Sequence, residues 1–240
     1  MSRIDGRADD DLRPVRYITD FITYPEGSVL IETGGTRVLC NVSVEAQVPP
    51  WREASGGGWL TAEYAMLPRA THTRTPRSAA ADGARSIEIR RLIGRCLRAA
   101  VDLERLGSHT LTVDCDVLQA DGGTRTASIT GGYVAVALAL QRMMKAGILP
   151  PGVLLMPVAG VSVGVVNGRP LLDLCYAEDA SAEADLNVVM TSGGRFIEVQ
   201  GTAEGGPFDR SMLNRLLDLA TEGIAHLIES QHKALAEAGV

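Results

Sequence analysis

Residues Cys115–Ser128 read CDVLQADGGTRTAS, and this stretch decides how the rest of the chain is organised. Its first part, with the residues just before it, alternates apolar and polar side chains, which is typical of a half-buried strand. Asp121-Gly122-Gly123 is a strong turn signal. The small and apolar residues from about Ser128 to Met144 then predict a buried helix. The predicted order is strand, glycine turn, hydroxyl and arginine, and buried helix.

The turn has the composition of an anion-binding site. The first turn of a helix carries unpaired backbone N–H groups and the positive end of the helix dipole, and glycine lets an oxyanion approach that backbone closely. Thr124 can donate a hydroxyl hydrogen bond, and the planar guanidinium of Arg125 matches phosphate. The stretch is neither Gly-x-Gly-x-x-Gly nor a Walker loop. A tight turn beside a surface arginine therefore stands as the alternative to a phosphate-binding turn.

Length and composition indicate an ordinary soluble protein. The 240 residues suit one large domain or two small ones, and 45% hydrophobic with 22% charged residues is typical of globular chains. No apolar run approaches the ~20 residues that span a bilayer, and the charged N-terminus lacks the apolar core of a signal peptide. We therefore expect a cytoplasmic protein with no membrane partner.

The cysteines are far apart and form no Cys-x-x-Cys pair; they are Cys40, Cys96, Cys115 and Cys175. Three of them lie in apolar strand patterns, and Cys96 lies in a helical pattern. We expect reduced core residues rather than a zinc site or a disulfide framework.

Charge is distributed unevenly along the chain. The net charge is −6, yet residues 69–98 hold eight arginines and two acidic residues, which gives this window +6 and leaves −12 for the rest. A basic patch on an acidic body is typical of a localised polyanion-binding surface. Aromatic residues make up only 4% of the chain, so stacking on rows of aromatic rings is not expected to be the main mode of nucleic-acid binding.

The first half of the chain reads as strands followed by helices. Residues 1–16 are expected to form an extended lead-in. A hairpin is predicted around residues 33–36, a further strand at Trp59–Leu67, and an amphipathic helix over Ser86–Leu106 with Ser86 as its N-cap. The connection over 68–83 is long for a compact domain. It is either a disordered surface loop or an arm that contacts RNA or another subunit.

The second half repeats the pattern of strands followed by a helix. Asn167-Gly168 is the strongest hairpin signal in the chain. A second hairpin turns at 192–194, and Pro207 is predicted to start the final helix. The likeness of the two halves predicts a duplicated α+β module, with modules at 1–150 and 151–240.

An acidic stretch separates the two later hairpins, with four acidic residues in Glu178–Asp185. Asp179 is predicted to end one strand and Asp185 to begin the next. Carboxylates at strand ends can hold Mg²⁺ or act as an acid or base. A solvated acidic loop is the alternative.

Residues 114–131, DCDVLQADGGTRTASITG, resemble the signature of the ribonuclease PH family. Further matching stretches lie at 13–15, 26–30, 61–69, 71–74, 88–93, 161–164, 185–191 and 198–204. The resemblance therefore covers nearly the whole chain.

The resemblance implies two β–α modules like the second domain of ribosomal protein S5, with mixed sheets packed against helices. It also implies a ring-shaped homohexamer, built as a trimer of dimers. The implied activity is phosphorolytic 3′→5′ exoribonuclease action on the 3′ ends of tRNA precursors, which releases nucleoside 5′-diphosphates. The reverse reaction would add nucleotides from diphosphates.

The resemblance also assigns site residues. It implies that the co-substrate phosphate is held by Arg85, Gly123, Thr124 and Arg125. Asp179 and Asp185, with Arg125, would be catalytic; the two carboxylates would hold Mg²⁺, or one protonated carboxyl would assist the leaving 3′-oxygen. The RNA-binding candidates are Arg69, Arg74, Arg77, Arg90 and Arg91.

Two other functions fit the same signature. One is a catalytically silent RNA-binding ring subunit, like inactive members of the exosome. Such subunits would be expected to lack the phosphate-binding or acidic residues, all of which are present here. The other is a detached polynucleotide phosphorylase core, which the single copy of the signature argues against. The active enzyme is the favoured interpretation.

Overall fold

The structure is a computed structural model that describes residues 3–54, 56–77 and 83–240. The elements of the first half are β1 (Val15–Thr19), β2 (Gly27–Thr33), β3 (Thr36–Glu45), α1 (Pro50–Glu53), β4 (Trp59–Met66), α2 (Ala84–Arg98), α3 (Leu103–Leu106), β5 (Thr110–Gln119) and α4 (Thr124–Lys145). The elements of the second half are β6 (Val158–Val166), β7 (Arg169–Leu172), α5 (Tyr176–Asp179), β8 (Ala184–Thr191), β9 (Phe196–Ala203) and α6 (Arg210–Glu237).

The first sheet has the strand order β1-β2-β3-β5-β4. Its neighbours are antiparallel except β4 and β5, which run parallel. A parallel pair needs a crossover connection, and α2 lies in this crossover and packs on β4. The alternation predicted for β5 is confirmed, because its buried residues are every second one from Leu111 to Val117.

The second sheet is antiparallel, with the order β7-β6-β8-β9, and α6 packs against it. The predicted hairpin at Asn167-Gly168 is confirmed. Both residues have positive φ, 52° and 69°, which the two-residue turns of twisted hairpins require. The α+β class, with two sheets packed against helices, is also confirmed. The division at residue 150 stays a prediction.

Helix α4 lies between the two sheets and is buried on all sides from Thr126 to Leu140. It packs against β2 and β3 of the first sheet and β6 of the second. Two glycines make the close packing possible. A Cβ at Gly27 would lie 2.0 Å from the carbonyl oxygen of Ala135, and one at Gly131 would lie 2.6 Å from a methyl of Ile31. The position of α4 is therefore fixed by backbone contact with the first sheet.

Both ends of the chain differ from the sequence prediction. The lead-in predicted over 1–16 misses β1, whose residues Val15–Thr19 pair with β2. The final helix begins at Arg210 rather than Pro207, because the carboxylate of Asp209 accepts a hydrogen bond from the third N–H of the helix and caps it there.

The single helix predicted over Ser86–Leu106 is wrong. Helix α2 ends at Arg98, and α3 begins after Asp102, whose carboxylate accepts two backbone hydrogen bonds as its cap. The Ser86 cap is also wrong, because the helix already begins at Ala84. The predicted loop over 68–83 is irregular in its first part, and its residues 78–82 lie outside the described part.

The prediction that Asp179 ends a strand is wrong as well. Strand β7 ends at Leu172, since Asp173 adopts a left-handed backbone with φ of 53°. Cys175 is then the N-cap of the short helix α5 rather than a strand residue, and Asp179 is the last residue of that helix. All four cysteines are buried, which confirms their prediction as core residues. Their reduced state stays a prediction.

None of the helices in the described ranges is both long and apolar enough to cross a lipid bilayer.

Replacing Gly27 with alanine tests the packing of α4. The new methyl would overlap the carbonyl of Ala135, so we expect a loss of about 1–3 kcal/mol in the free energy of unfolding, measured by urea denaturation. Gly193→Ala is the control, because a Cβ there meets its nearest neighbour at an ordinary 3.7 Å; it should change stability by less than about 0.5 kcal/mol. Equal effects of the two substitutions would contradict the packing described.

Candidate active site

An open cleft of about 390 Å³ lies where the N-termini of α2 and α4 face the second sheet. Its walls come from both halves of the chain. The lining residues are Met66, Thr71, Arg85, Ala120, Gly122, Gly123, Thr124, Arg125, Ser162, Tyr176, Asp179, Asp185 and Asn187. The cleft therefore contains every residue predicted to bind phosphate or to act in catalysis.

The turn predicted to bind phosphate, residues 121–123, leads directly into α4. Gly122 and Gly123 both have left-handed backbones, with φ of 73° and 64°, and Gly123 is the N-cap of α4. No side chain in the described part of the chain caps this helix. Helix α4 begins at Thr124, earlier than the predicted start near Ser128, so Thr124 and Arg125 form its first turn. The N–H groups of that turn are available to an anion.

The turn is held in place by the hydroxyl of Thr36 and by the backbone at Leu174. The hydroxyl of Thr36 donates to the carbonyl of Gly122 at 2.6 Å and accepts from the N–H of Asp121 at 2.9 Å. A Cβ at Gly122 would lie 2.5 Å from the carbonyl oxygen of Leu174. Glycine is therefore required there both for its φ and for the space.

Arg125 is fixed in place by side chains from two other elements. Its Nη1 donates to Oε1 of Gln200 on β9 at 2.8 Å and lies 3.5 Å from Glu88 on α2. Gln200 in turn donates to Glu88 at 3.0 Å. Arg85 lies in the first turn of α2 and is exposed to solvent at the cleft. The cleft thus has one oriented and one exposed guanidinium.

Tyr64 lies beneath the site and is only 2% exposed. Its hydroxyl hydrogen-bonds the hydroxyl of Thr124 at 2.8 Å. Burial raises the pKa of Tyr64, although the charges of Arg85 and Arg125 both act to lower it. The Tyr64 phenol therefore stays neutral and supports the Thr124 hydroxyl through their hydrogen bond. The charges of Arg85 and Arg125 both act on this phenol.

Asp179 and Asp185 line the same cleft as the arginines and lie on α5 and β8. Desolvation in the cleft is the largest cause of the raised pKa of Asp179, and the neighbouring charge of Asp185 adds to it. Arg85 and Arg125 act in the opposite direction and offset part of the rise. A carboxyl with such a pKa is protonated more readily than a solvated one.

The donor set of the cleft suits magnesium better than zinc. No cluster of three or more His, Cys, Asp or Glu side chains able to hold a metal occurs within residues 3–54, 56–77 and 83–240. Mg²⁺ is commonly bound through one or two carboxylates, with waters and substrate phosphate completing its shell. Asp179 and Asp185 fit that pattern.

Comparison with known proteins gives the family. The chain matches domain 1 of the 3′ exoribonuclease family over residues 11–140 and domain 2 over residues 156–223. The chain belongs to the 3′ exoribonuclease family.

Relatives within the 3′ exoribonuclease family are similar over almost their whole length. The chain is 55% identical over 237 residues to a ribonuclease PH of Corynebacterium efficiens, covering 98% of this chain and 97% of that protein. It is 53% identical over 238 residues to a ribonuclease PH of Bacillus velezensis, with the same coverage. An Archaeoglobus fulgidus exosome structure with RNA bound to the active site superposes with a TM-score of 0.78 at 25% identity, covering 95% of this chain and 92% of that one. The resemblance to ribonuclease PH is confirmed.

The arginines predicted to bind RNA fall into two places in this family member. Arg69, Arg74 and Arg77 are exposed on the segment after β4, and Thr71 of the same segment lines the cleft. Arg90 and Arg91 instead line a separate cavity of about 480 Å³ beside β4. The structure therefore brings Thr71 of the first segment, but none of the five arginines, into the lining of the cleft.

Sequence reasoning missed the residues that support the exoribonuclease site. Tyr64 and Gln200 orient Thr124 and Arg125, and Asn187 lines the cleft. All three lie in stretches that match the family, which was the only available signal. Strand periodicity alone does not show which distant residue a polar side chain meets.

Asp185→Asn tests the coupling of the two carboxyls. Removing the negative charge of Asp185 should lower the pKa of Asp179, because that charge disfavours its ionised form. The pKa is measured by NMR titration of the labelled Asp179 carboxyl carbon. Asp218→Asn on the exposed face of α6 is the matched control and should leave this pKa unchanged. An unchanged pKa in Asp185→Asn would show that the two groups do not interact.

Proposed function

We propose that this chain is a phosphate-dependent 3′→5′ exoribonuclease that shortens the 3′ ends of tRNA precursors. One observation carries the proposal: Arg85, Arg125 and the N-terminus of α4, which no described side chain caps, share one cleft with Asp179 and Asp185. The identity with ribonuclease PH proteins over nearly the full chain supports it.

Phosphate is the nucleophile in this proposal. One of its oxygens attacks the phosphorus of the last phosphodiester, and the bond from that phosphorus to the 3′-oxygen breaks. The released product is a nucleoside 5′-diphosphate whose β-phosphate is the former inorganic phosphate, and the shortened RNA keeps a 3′-hydroxyl. The same steps in reverse add a nucleotide from a diphosphate.

The phosphate-binding groups lower the barrier mainly by positioning and by neutralising charge. The N–H groups at the start of α4 and the two guanidiniums hold the phosphate in line with the scissile bond. Phosphoryl transfer leaves little covalent work to the protein, so placement and electrostatic stabilisation supply most of the acceleration. The hydrogen bond that Arg125 donates to Gln200 supports this role, because an arginine oriented in advance needs little rearrangement on binding.

The acidic pair acts on the leaving side of the reaction. The 3′-oxygen must gain a proton or a cation as its bond to phosphorus breaks. The raised pKa of Asp179 supports a protonated carboxyl that donates to this oxygen. In the alternative, Asp179 and Asp185 are both ionised and would hold Mg²⁺, which when bound would stabilise the charge on the leaving oxygen as a Lewis acid.

RNA approaches along the exposed basic segment in this proposal. Arg69, Arg74 and Arg77 would contact phosphates upstream of the scissile bond, which predicts binding that weakens with salt. Arg90 and Arg91 stay RNA-binding candidates of a second surface, although Arg90 is paired with Glu63 at 2.9 Å.

We also propose a ring-shaped hexamer, supported by the similarity to an exosome chain. We propose a cytoplasmic location as well, supported by four free buried thiols.

The decisive assay uses a tRNA with a 3′ extension, with and without inorganic phosphate. We expect nucleoside diphosphates to be released only when phosphate is present. Arg125→Gln should reduce this release by about 10²-fold or more, because an oriented group that neutralises transition-state charge is lost. The products are identified by chromatography.

Arg142→Gln is the matched control for this assay. Arg142 lies at the far end of the same helix and pairs with Asp20 on the surface, so its substitution should leave the rate unchanged. Release of monophosphates without phosphate would mean hydrolysis and would contradict the proposal. No release at all would favour the silent ring subunit.

A further inference from the structure

Arg13 is a buried arginine that the reaction described above does not use. It lies just before β1 and is 4% exposed, and its partner Asp173 is 3% exposed. Its Nε donates to Oδ2 of Asp173 at 3.0 Å, its Nη2 donates to Oδ1 at 2.7 Å, and its backbone N–H donates to Oδ2 at 2.8 Å. The guanidinium therefore binds one carboxylate in a two-pronged geometry inside the protein.

The third nitrogen of the same guanidinium reaches the phosphate-binding turn. Nη1 of Arg13 donates to the carbonyl oxygen of Asp121. The Nη2 atom lies directly behind Gly123, where a Cβ would meet it at 3.0 Å. Arg13 thus touches the turn at its first and last residues without being one of the residues that line the cleft.

The carboxylate partner is itself held rigidly. Asp173 has a left-handed backbone with φ of 53°, a conformation that costs energy for a residue other than glycine unless its surroundings impose it. Its N–H donates to the carbonyl of Ser162 at 2.7 Å, and the N–H of Leu174 donates to the Ser162 hydroxyl at 3.1 Å. Arg7 lies 3.9 Å from the same carboxylate.

The chain after Asp173 returns to the turn and then to the catalytic carboxyl. The backbone of Leu174–Tyr176 packs against Gly122, and the N–H of Tyr176 donates to Oδ1 of Asp121 at 3.2 Å. Tyr176 starts α5, which ends at Asp179. The turn and α5 are therefore both attached to the pair formed by Arg13 and Asp173.

We propose that Arg13 is a positioning residue for phosphate, because through Asp121 and Asp173 it fixes the phosphate-binding turn relative to the helix that carries Asp179. This inference rests on the proposed function. Arg13 does not touch the reacting groups, and its charge is balanced by Asp173. A buried ion pair is seldom a better source of stability than apolar packing. A guanidinium that connects three segments of the chain does, however, fix their positions relative to one another.

Arg13→Lys is the direct test. Lysine keeps the positive charge, but its single ammonium cannot bind both oxygens of Asp173 and the carbonyl of Asp121 together. We expect the KM for phosphate to rise about tenfold or more, since small displacements of positioning groups have effects of this size. The KM for RNA should stay within about twofold, because the RNA-contacting surface is unchanged.

Arg3→Lys is the matched control. Arg3 is equally buried, at 5% exposed, and it forks to Glu178 at 2.8 and 2.7 Å. Its other hydrogen bonds go to the carbonyls of Ala8, Asp11, Leu172 and Asp173, and none in the described part of the chain goes to residues 121–123. It should lose comparable thermal stability and keep the wild-type KM for phosphate.

Asp173→Asn serves if Arg13→Lys does not fold. Asparagine has the same size as aspartate and tolerates a left-handed backbone. It therefore weakens the two-pronged contact with Arg13 but still fills the space of the aspartate side chain. It should also raise the KM for phosphate, by a smaller factor, with the KM for RNA unchanged. A wild-type KM for phosphate in the folded Arg13 variant, or in Asp173→Asn if that variant is used, would overturn the inference. An equal rise in Arg3→Lys would also overturn it.

The wild-type protein separates failure of this inference from failure of the proposed function. If wild type releases diphosphates only with phosphate, the function stands, and an unaltered KM in the variants refutes the role of Arg13 alone. If wild type releases monophosphates without phosphate, the function itself is refuted, and the inference about Arg13 is refuted with it.

Discussion

The site depends on one packing constraint, the close approach of helix α4 to strand β2. The helix is buried from Thr126 to Leu140 between two sheets, and at Gly27 and Gly131 it leaves no room for a side chain. A helix held this tightly cannot slide or rotate without losing contacts along its whole length. Its N-terminus is therefore fixed at the cleft, and the positive end of its dipole lies in one place before any anion arrives.

Charges of opposite sign share the cleft at that helix end. All four residues line one cleft, in which Arg85 and Arg125 would hold the phosphate and Asp179 and Asp185 would act on the leaving oxygen. The two carboxylates repel each other, which contributes to the raised pKa of Asp179. A cation or a proton relieves that repulsion. The cleft thus contains both groups that attract an anion and groups that attract a positive charge, and phosphoryl transfer uses both.

Local sequence signals predicted the parts of the fold that local physics controls. The period-two pattern of β5, the glycine turn and the Asn167-Gly168 hairpin follow from side-chain alternation and from positive φ. The error at Asp179 and the missed contacts of Tyr64 and Gln200 came from structure that distant contacts impose. Asp179 lies on a helix because Asp173 ends β7 early, and Asp173 is held by Ser162 and Arg13. The supporting bonds from Tyr64 and Gln200 likewise depend on strand packing that no short window of sequence contains.

The most direct test of the account is a crystal structure of the protein grown with orthophosphate. The account predicts one phosphate ion at the N-terminus of α4, hydrogen-bonded to the backbone of its first turn and to the side chains of Arg85 and Arg125, with Asp179 and Asp185 across the cleft. A protein that consumes phosphate in solution but shows no ion at this position, or whose Arg85 and Arg125 point away from a shared cleft, would contradict it.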